Sequence, residues 1–173
     1  MNSDGKGQTQ LTSNNVHDGY PNFSPDGQTI VFEAWDTDDY PEIFTMDVAG
    51  NNRTQLTNES GAYWQSAPIY NPSGTYIYFL KGYNADNHLA RMDLDGSNQV
   101  DITSVNAFGI SEGNMRFSPD GQKIIFITTE YVGYNNGSDI VIADTTGNNW
   151  NKITNSTGGA YYYWPVWHPD GHI

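Results

Sequence analysis

The feature that most constrains this chain is a five-residue cassette that returns four times. Phe23-Ser24-Pro25-Asp26-Gly27, Tyr70-Asn71-Pro72-Ser73-Gly74, Phe117-Ser118-Pro119-Asp120-Gly121 and Trp167-His168-Pro169-Asp170-Gly171 align on their prolines. The steps are 47 (25 to 72), 47 (72 to 119) and 50 residues (119 to 169). A recurrence of this length means that one supersecondary unit is stacked on copies of itself.

Each of the first three cassettes is followed by a β-rich run: Thr29-Ile30-Val31-Phe32, Tyr76-Ile77-Tyr78-Phe79 and Lys123-Ile124-Ile125-Phe126. After a polar or aromatic loop comes a third strand, Ile43 to Asp47, Leu89 to Asp93 and Ile140 to Asp144. A glycine turn then leads to a fourth, ending Gln55-Leu56-Thr57, Asp101-Ile102-Thr103 and Lys152-Ile153-Thr154. Proline presets φ for a tight turn, and Asp bonds its own backbone. Glycine takes the left-handed position that closes such hairpins. The second strands are nearly continuous apolar runs, which suggests sheets covered on both faces. Four-stranded antiparallel sheets of about 45 residues, each sandwiched between neighbours, describe the blades of a β-propeller. The expected fold is therefore all-β, a partial β-propeller. A solenoid needs shorter repeats, and a two-sheet sandwich does not explain the register of the prolines.

The segment Met1 to Gly5 with Gln10-Leu11-Thr12 matches Met46 to Thr57 and Met92 to Thr103, so the chain begins inside a blade. Gly171-His172-Ile173 stands where a second strand should start. One domain over 1–173 is expected, with blades at about 21–57, 68–103 and 115–154, a leading strand in 1–12 and a trailing strand in 165–173. Three blades do not close a ring. The apolar faces of the first and third are expected to lie open, as interfaces do, and to be met by a missing remainder of the propeller or by a homo-oligomer.

These residues resemble the WD40-like PD40 repeat of TolB-type propellers, with its F-S-P-D-G, I-x-F, M-D, D-G and L-T positions. The resemblance recurs at four places and spans nearly the whole chain. It implies a propeller of the six-bladed TolB kind, a periplasmic or secreted bacterial location, and contacts with other envelope proteins. Blades of this kind also occur in prolyl-oligopeptidase-like peptidases, so the fold alone does not assign an activity.

Charge narrows the function classes. Seven Lys and Arg against 20 Asp and Glu give a net charge of −13 and a pI near 4.2. Phosphate affinity depends on clustered cations, so nucleic acid and anionic membrane surfaces are disfavoured as partners. No apolar run approaches the roughly 20 residues of a spanning helix, so no membrane insertion is expected. The start MNSDGKGQTQ lacks the basic end and apolar stretch of a secretion signal, as expected of a mature form. The absence of cysteine removes disulfides, thiolate metal sites and a Cys nucleophile.

Alternating strand direction puts the tight turns on one side of the ring and the longer loops on the other. Aromatic and acidic residues gather on the loop side: Trp35 and Tyr40 with Asp36, Asp38 and Asp39, then Tyr63, Tyr83 with Asp86 and Asn87, Tyr131, Tyr134, Tyr161 and Tyr162. Rigid scaffolds present their binding residues on such loops. Aromatic rings beside Asp and Asn suit a protein partner, or a carbohydrate or peptide ligand. Tyr20, Trp64 and Trp164, just before the first strands, are expected to fill the wedges between blades.

Residues Asp36 to Asp39 form the densest acidic cluster. Tyr40 and Pro41 stand where a calcium loop would need glycine, so a solvated loop is expected. His17, His88, His168 and His172 fall at different repeat positions without metal spacing and read as isolated surface or turn residues. Ser24 and Ser118 sit in the repeated turn without a nucleophile-elbow context. A glycosidase needs paired channel acids. The first strands offer Asn22, Ile69, Arg116 and Val166 instead, and Glu33 and Glu112 are isolated. The expectation is a non-enzymatic binding and protein-interaction scaffold with no catalytic residue, metal or cofactor. The alternative is an accessory propeller of a prolyl-oligopeptidase-like serine peptidase or of a carbohydrate-active enzyme.

Overall fold

Each of the first three cassettes becomes a hairpin whose serine or asparagine holds the turn closed. Ser24 Oγ accepts from Thr29 N at 2.9 Å and donates to Asp26 Oδ1 at 2.6 Å. Ser118 repeats both bonds with Lys123 N and Asp120. In the second cassette Asn71 Oδ1 takes the N–H groups of Thr75 and Tyr76, each at 2.9 Å.

A computed structural model describes residues 4–35, 40–59, 64–83, 86–103, 109–110, 115–130, 137–156 and 159–173. Among these there is no helix, and thirteen strands form three antiparallel sheets. The first is β1 (Asp18–Phe23), β2 (Thr29–Ala34), β3 (Glu42–Asp47) and β4 (Thr54–Gln55), in that order. The second is β5 (Trp64–Tyr70), β6 (Tyr76–Tyr83), β7 (Asp86–Asp93) and β8 (Val100–Asp101). In the third, β10 (Arg116–Phe117), β11 (Lys123–Glu130), β12 (Gly137–Asp144) and β13 (Asn151–Lys152) follow one another, and β9 (Gly109–Ile110) also pairs β11. Each sheet is a meander, the form of a propeller blade.

The second strands bury both faces, as their unbroken apolar runs imply. Val31 and Ile43 of the first sheet meet Ile77, Phe79, Ala90 and Met92 of the second. The opposite face of the second sheet sends Tyr78, Leu80 and Leu89 against Ile124, Phe126, Val141 and Ala143 of the third. Burying each large side chain contributes roughly 1.5–3 kcal/mol, so these interfaces hold the blades together.

The outermost faces are covered, contrary to the expectation that they lie open. Ile30, Phe32, Phe44 and Met46 are at most 6% exposed, packed by Leu11 and by the Arg53 guanidinium 3.9 Å from the Phe44 ring centre. Ile125 and Ile127 of the third sheet are at most 1% exposed. The trailing segment bonds to that sheet through Ser138, whose Oγ donates to Tyr162 O at 2.9 Å. The flanking segments act as covers because water-exposed apolar area is costly whatever hides it. Among the described residues, however, neither forms the strand expected in 1–12 or 165–173, since each lacks a neighbouring strand to complete a ladder.

Close approach between sheets rests on glycine. Gly50, with φ +86, is so near the leading segment that a Cβ would stand 2.6 Å from Leu11 O. Gly96 and Gly147 meet Leu56 O and Ile102 O in the same way. The leading turn repeats the backbone of the later ones, with φ of 80° and 61° at Gly5 and Gly7 against 86° and 57° at Gly50 and Asn52.

The turn carboxylates titrate below the ordinary aspartate value of 3.8. The cause at Asp26, Asp95, Asp120 and Asp144 is first a hydroxyl bond, from Ser24, Ser97, Ser118 and Thr146 respectively. At Asp47 it is the Asn51 N–H. A depressed carboxylate lends stability that is fully present above its unfolded value and is lost as pH falls through its folded value. The melting temperature should therefore stay nearly level from pH 7 to 5 and fall below about pH 4. A thermal scan that drops steadily from pH 7 would contradict this.

Candidate functional site

Both intact inner strands carry a bulge. The β1–β2 register shifts between Gly19 and Asn22, and the β5–β6 register between Ser66 and Ile69. Tyr20 and Ala67 stand there with φ of 49°, and Trp164 repeats the conformation at 48°. Each precedes a proline, Pro21, Pro68 and Pro165. Proline disfavours compact backbone before it, and a non-glycine left-handed residue costs of order 1–3 kcal/mol. Such strain persists only where the surroundings impose it. Glu33, 4% exposed, accepts the Ala67 N–H at 3.1 Å, and Asn22 Oδ1 accepts the Tyr70 N–H at 3.0 Å. Two sheets are thus stitched at their inner strands.

The bulges face a shared concavity of about 210 Å³. Its wall is Tyr20, Asn22, Ala67, Ile69, Met115 and Arg116 with the two prolines, Pro21 and Pro68. Among the described residues of this lining, Arg116 is the one charged side chain. Tyr20 is 41% exposed, and Trp164 is 75% exposed. Neither fills a wedge between blades, because the left-handed bulge turns the residue out of the alternation that a regular strand would impose. Trp64 behaves differently and lies half-buried over Gly82.

The loop-side residues are distributed unevenly. Trp35 is 43% exposed, with its N–H bonded to His17 O, and Tyr40 is 36% exposed. Asn87 is not a loop residue, since it lies in β7 and its Nδ2 donates to Ile110 O at 3.0 Å. Tyr83 and Asp86 also lie in strands and pair with each other. Their polar surroundings read as loop, but a ladder needs only backbone N–H and C=O groups. Tyr161 stacks on Tyr163 at 6.2 Å, and Tyr162 is half-buried through Ser138. Asp36, Asp38, Asp39, Tyr63, Tyr131 and Tyr134 lie outside the described residues. Among the described residues no group of three or more His, Asp or Glu is placed to hold a metal ion.

A family model, the TolB β-propeller domain, matches residues 1–130. The chain belongs to the TolB β-propeller domain family. It is 27% identical over 170 residues to the uncharacterized protein Atu1656 of Agrobacterium fabrum, covering 95% of this chain and 56% of that one. It is also 27% identical over 118 residues to the Tol-Pal system protein TolB of Francisella tularensis, covering 65% of this chain and 26% of that one. Among solved structures, a putative TolB from Agrobacterium tumefaciens superposes with a TM-score of 0.73 at 25% identity, over 93% of this chain and 57% of that one. An oligogalacturonate lyase in complex with manganese superposes at 0.60 and 17% identity, over 80% of this chain and 41% of that one, a likeness of fold alone. The chain thus spans little more than half the length of these relatives at most.

This TolB-type propeller also carries a clasp that its repeat pattern conceals. In each blade a threonine ending the fourth strand accepts the N–H of the third: Thr57 from Ile43, Thr103 from Leu89 and Thr154 from Ile140, each at 2.9 Å. The preceding residue is an acid in two blades. Glu42 takes the Thr57 hydroxyl and the Glu59 N–H. Asp139, 1% exposed, takes the Thr154 hydroxyl, the Ser156 N–H and Lys152 Nζ at 2.9 Å. Burial pushes the Asp139 carboxyl up, and the bonds from Lys152, Thr154 and Ser156 outweigh it, so it stays below the ordinary range. In the second blade the position is His88. It is buried at 6% exposure, not on the surface, with Nε2 at 3.2 Å from Asp101 Oδ1 but at an angle that makes no hydrogen bond. Glu33 is likewise not isolated. Neither role is legible locally, because the partners are 14 to 34 residues away.

Proposed function

We propose that this chain is a non-enzymatic binding scaffold that receives a protein partner at its inner-strand concavity and the adjoining aromatic loop side. The observation that carries this is the pair of tied, left-handed bulges aiming at a cavity lined by Tyr20, Asn22 and Arg116. Strained backbone held by specific bonds is retained where it positions something. Membership of the TolB family, and the name of the Francisella relative as a Tol-Pal system protein, support a protein partner and a periplasmic or secreted setting. Trp35, Tyr40, Tyr161 and Tyr162 with Asp36, Asp38, Asp39, Tyr63, Tyr83, Asp86, Tyr131 and Tyr134 would extend the contact, whereas Asn87 is engaged within the fold.

The flanks engage further blades of the same kind, from a longer chain or from a second copy. Phe23 is 63% exposed, while its counterparts are packed. Tyr70 bonds Thr29 at 3.0 Å, and Phe117 meets Tyr78 edge-on at 5.0 Å. Light scattering on the purified chain tests self-association, and a monodisperse 19.3 kDa monomer would exclude it.

The test of the binding reading is affinity capture from an envelope extract with the chain and with a Tyr20→Ala, Arg116→Glu double variant. Recovery of a defined partner should fall at least about tenfold in the variant, the loss of one good contact or two. Melting temperatures should stay close, since both side chains are exposed. Equal recovery would overturn the assigned surface, and cleavage of a polysaccharide or peptide by the purified chain would overturn the non-enzymatic reading.

A further inference from the structure

Repetition makes a departure informative. Three grooves of related build open between neighbouring sheets on the turn side, with volumes of about 370, 410 and 240 Å³. The middle one, between the second and third sheets, has a feature the others lack. Arg91 lies over the ring of Tyr76, its guanidinium carbon 4.2 Å from the ring centre. At the corresponding places the first groove carries Thr45 and Thr29.

Arg91 is half-buried and makes no hydrogen bond or ion pair with any described residue. The ring holds the guanidinium plane and leaves its N–H donors unpaired in the groove wall. The carboxylate on that wall, Asp101, lies against His88 at 3.2 Å and does not neutralise Arg91. The nearby phenol is also engaged, since Tyr78 Oη donates to Thr145 O at 3.1 Å. Hydroxyls of Ser73, Thr75 and Thr146 line the rest. Ser73 and Thr75 bond each other at 2.9 Å and Thr146 donates to Asp144 at 2.6 Å, so they offer a ligand chiefly acceptor lone pairs. A planar, fixed donor fork matches a carboxylate bidentately. A net charge of −13 opposes every anion in proportion to its charge, which favours a monoanion over a phosphate dianion.

We propose that the groove between the second and third sheets binds a hydroxylated monocarboxylate, whose carboxylate is held by Arg91 and whose hydroxyls meet Ser73, Thr75 and Thr146. The site is distinct from the inner-strand concavity and does not rest on the scaffold reading.

The test is a nitrogen-15 NMR titration of the Arg91 side chain in the whole chain with sodium gluconate at constant ionic strength. A saturable shift with a dissociation constant of about 1 mM is expected, and sorbitol should give none. Arg91→Gln should weaken binding at least about tenfold at unchanged melting temperature, with Arg91→Lys in between, because lysine keeps the charge and loses the fork. If Arg91→Gln does not fold, Tyr76→Leu, which removes the supporting ring, should weaken binding about threefold. An acetyl-Ser-Thr dipeptide acid binding more tightly than gluconate, with its amide inert, would identify a peptide terminus as the source of the carboxylate. The reverse order would identify a free acid. No saturation, equal effects of sorbitol and gluconate, tighter binding of inorganic phosphate, or unchanged binding in Arg91→Gln would each overturn the proposal.

Discussion

Replacing Gly96 by alanine is expected to destabilise the chain by about 3 kcal/mol, by parting the first two sheets. Two costs combine. The residue holds φ at +85°, where an L side chain crowds its own carbonyl, and the new methyl would collide with Leu56 O, a backbone atom that cannot turn aside. Gly27→Ala separates the two, since Gly27 has φ +69° and nothing within 4 Å of its would-be Cβ. It should lose only the backbone part, about 1 kcal/mol. Urea midpoints of both variants measure the difference. Equal losses would mean that the blade spacing relaxes freely and that the close approach is incidental.

Removing the buried acid of the third-blade clasp is the second large effect. Asp139→Ala should cost about 3 kcal/mol. It strips partners from the Thr154 hydroxyl, the Ser156 N–H and Lys152 together, and these groups lie at least partly out of water. Unpaired buried donors lose hydration without replacement. The reciprocal change is informative, because His88 occupies the same place in the second blade. Transplanting the pair, His88→Asp together with Asp101→Lys, should gain about 1 kcal/mol by giving the Thr103 hydroxyl a carboxylate that a lysine balances. His88→Asp alone would set its carboxylate against that of Asp101 and lose stability. If the double variant destabilised the chain as much as Asp139→Ala, the two positions would not be equivalent and the clasp would not be a repeated device.

The legible part of this molecule is whatever repeats. Pro25, Pro72 and Pro119 with their glycines announce hairpins, because each residue acts on its own backbone. The apolar runs around Ile77 and Ile124 announce sheets buried on both faces. The extension of β6 and β7 to Tyr83 and Asp86 was not legible, because backbone pairing carried the ladder through polar residues. Tyr20 and Trp164 were misplaced for a related reason. Whether a pre-proline residue follows the strand or turns left-handed depends on bonds such as Glu33 to Ala67, 34 residues apart.

The linear order of residues determined the blade, its four strands, its turns and the approximate limits of each copy, since these follow from local torsions and from hydrophobic alternation. Tertiary structure alone decided how the outer faces are covered by the flanking segments and which residues line the inner concavity. It also decided that Glu33, His88 and Asp139 are buried links and not surface charges, and that Arg91 lies unpaired over Tyr76. The reason is physical: a turn is closed by neighbours in the chain, whereas burial and electrostatic pairing depend on groups that only the packing of one blade on the next brings within a few ångströms.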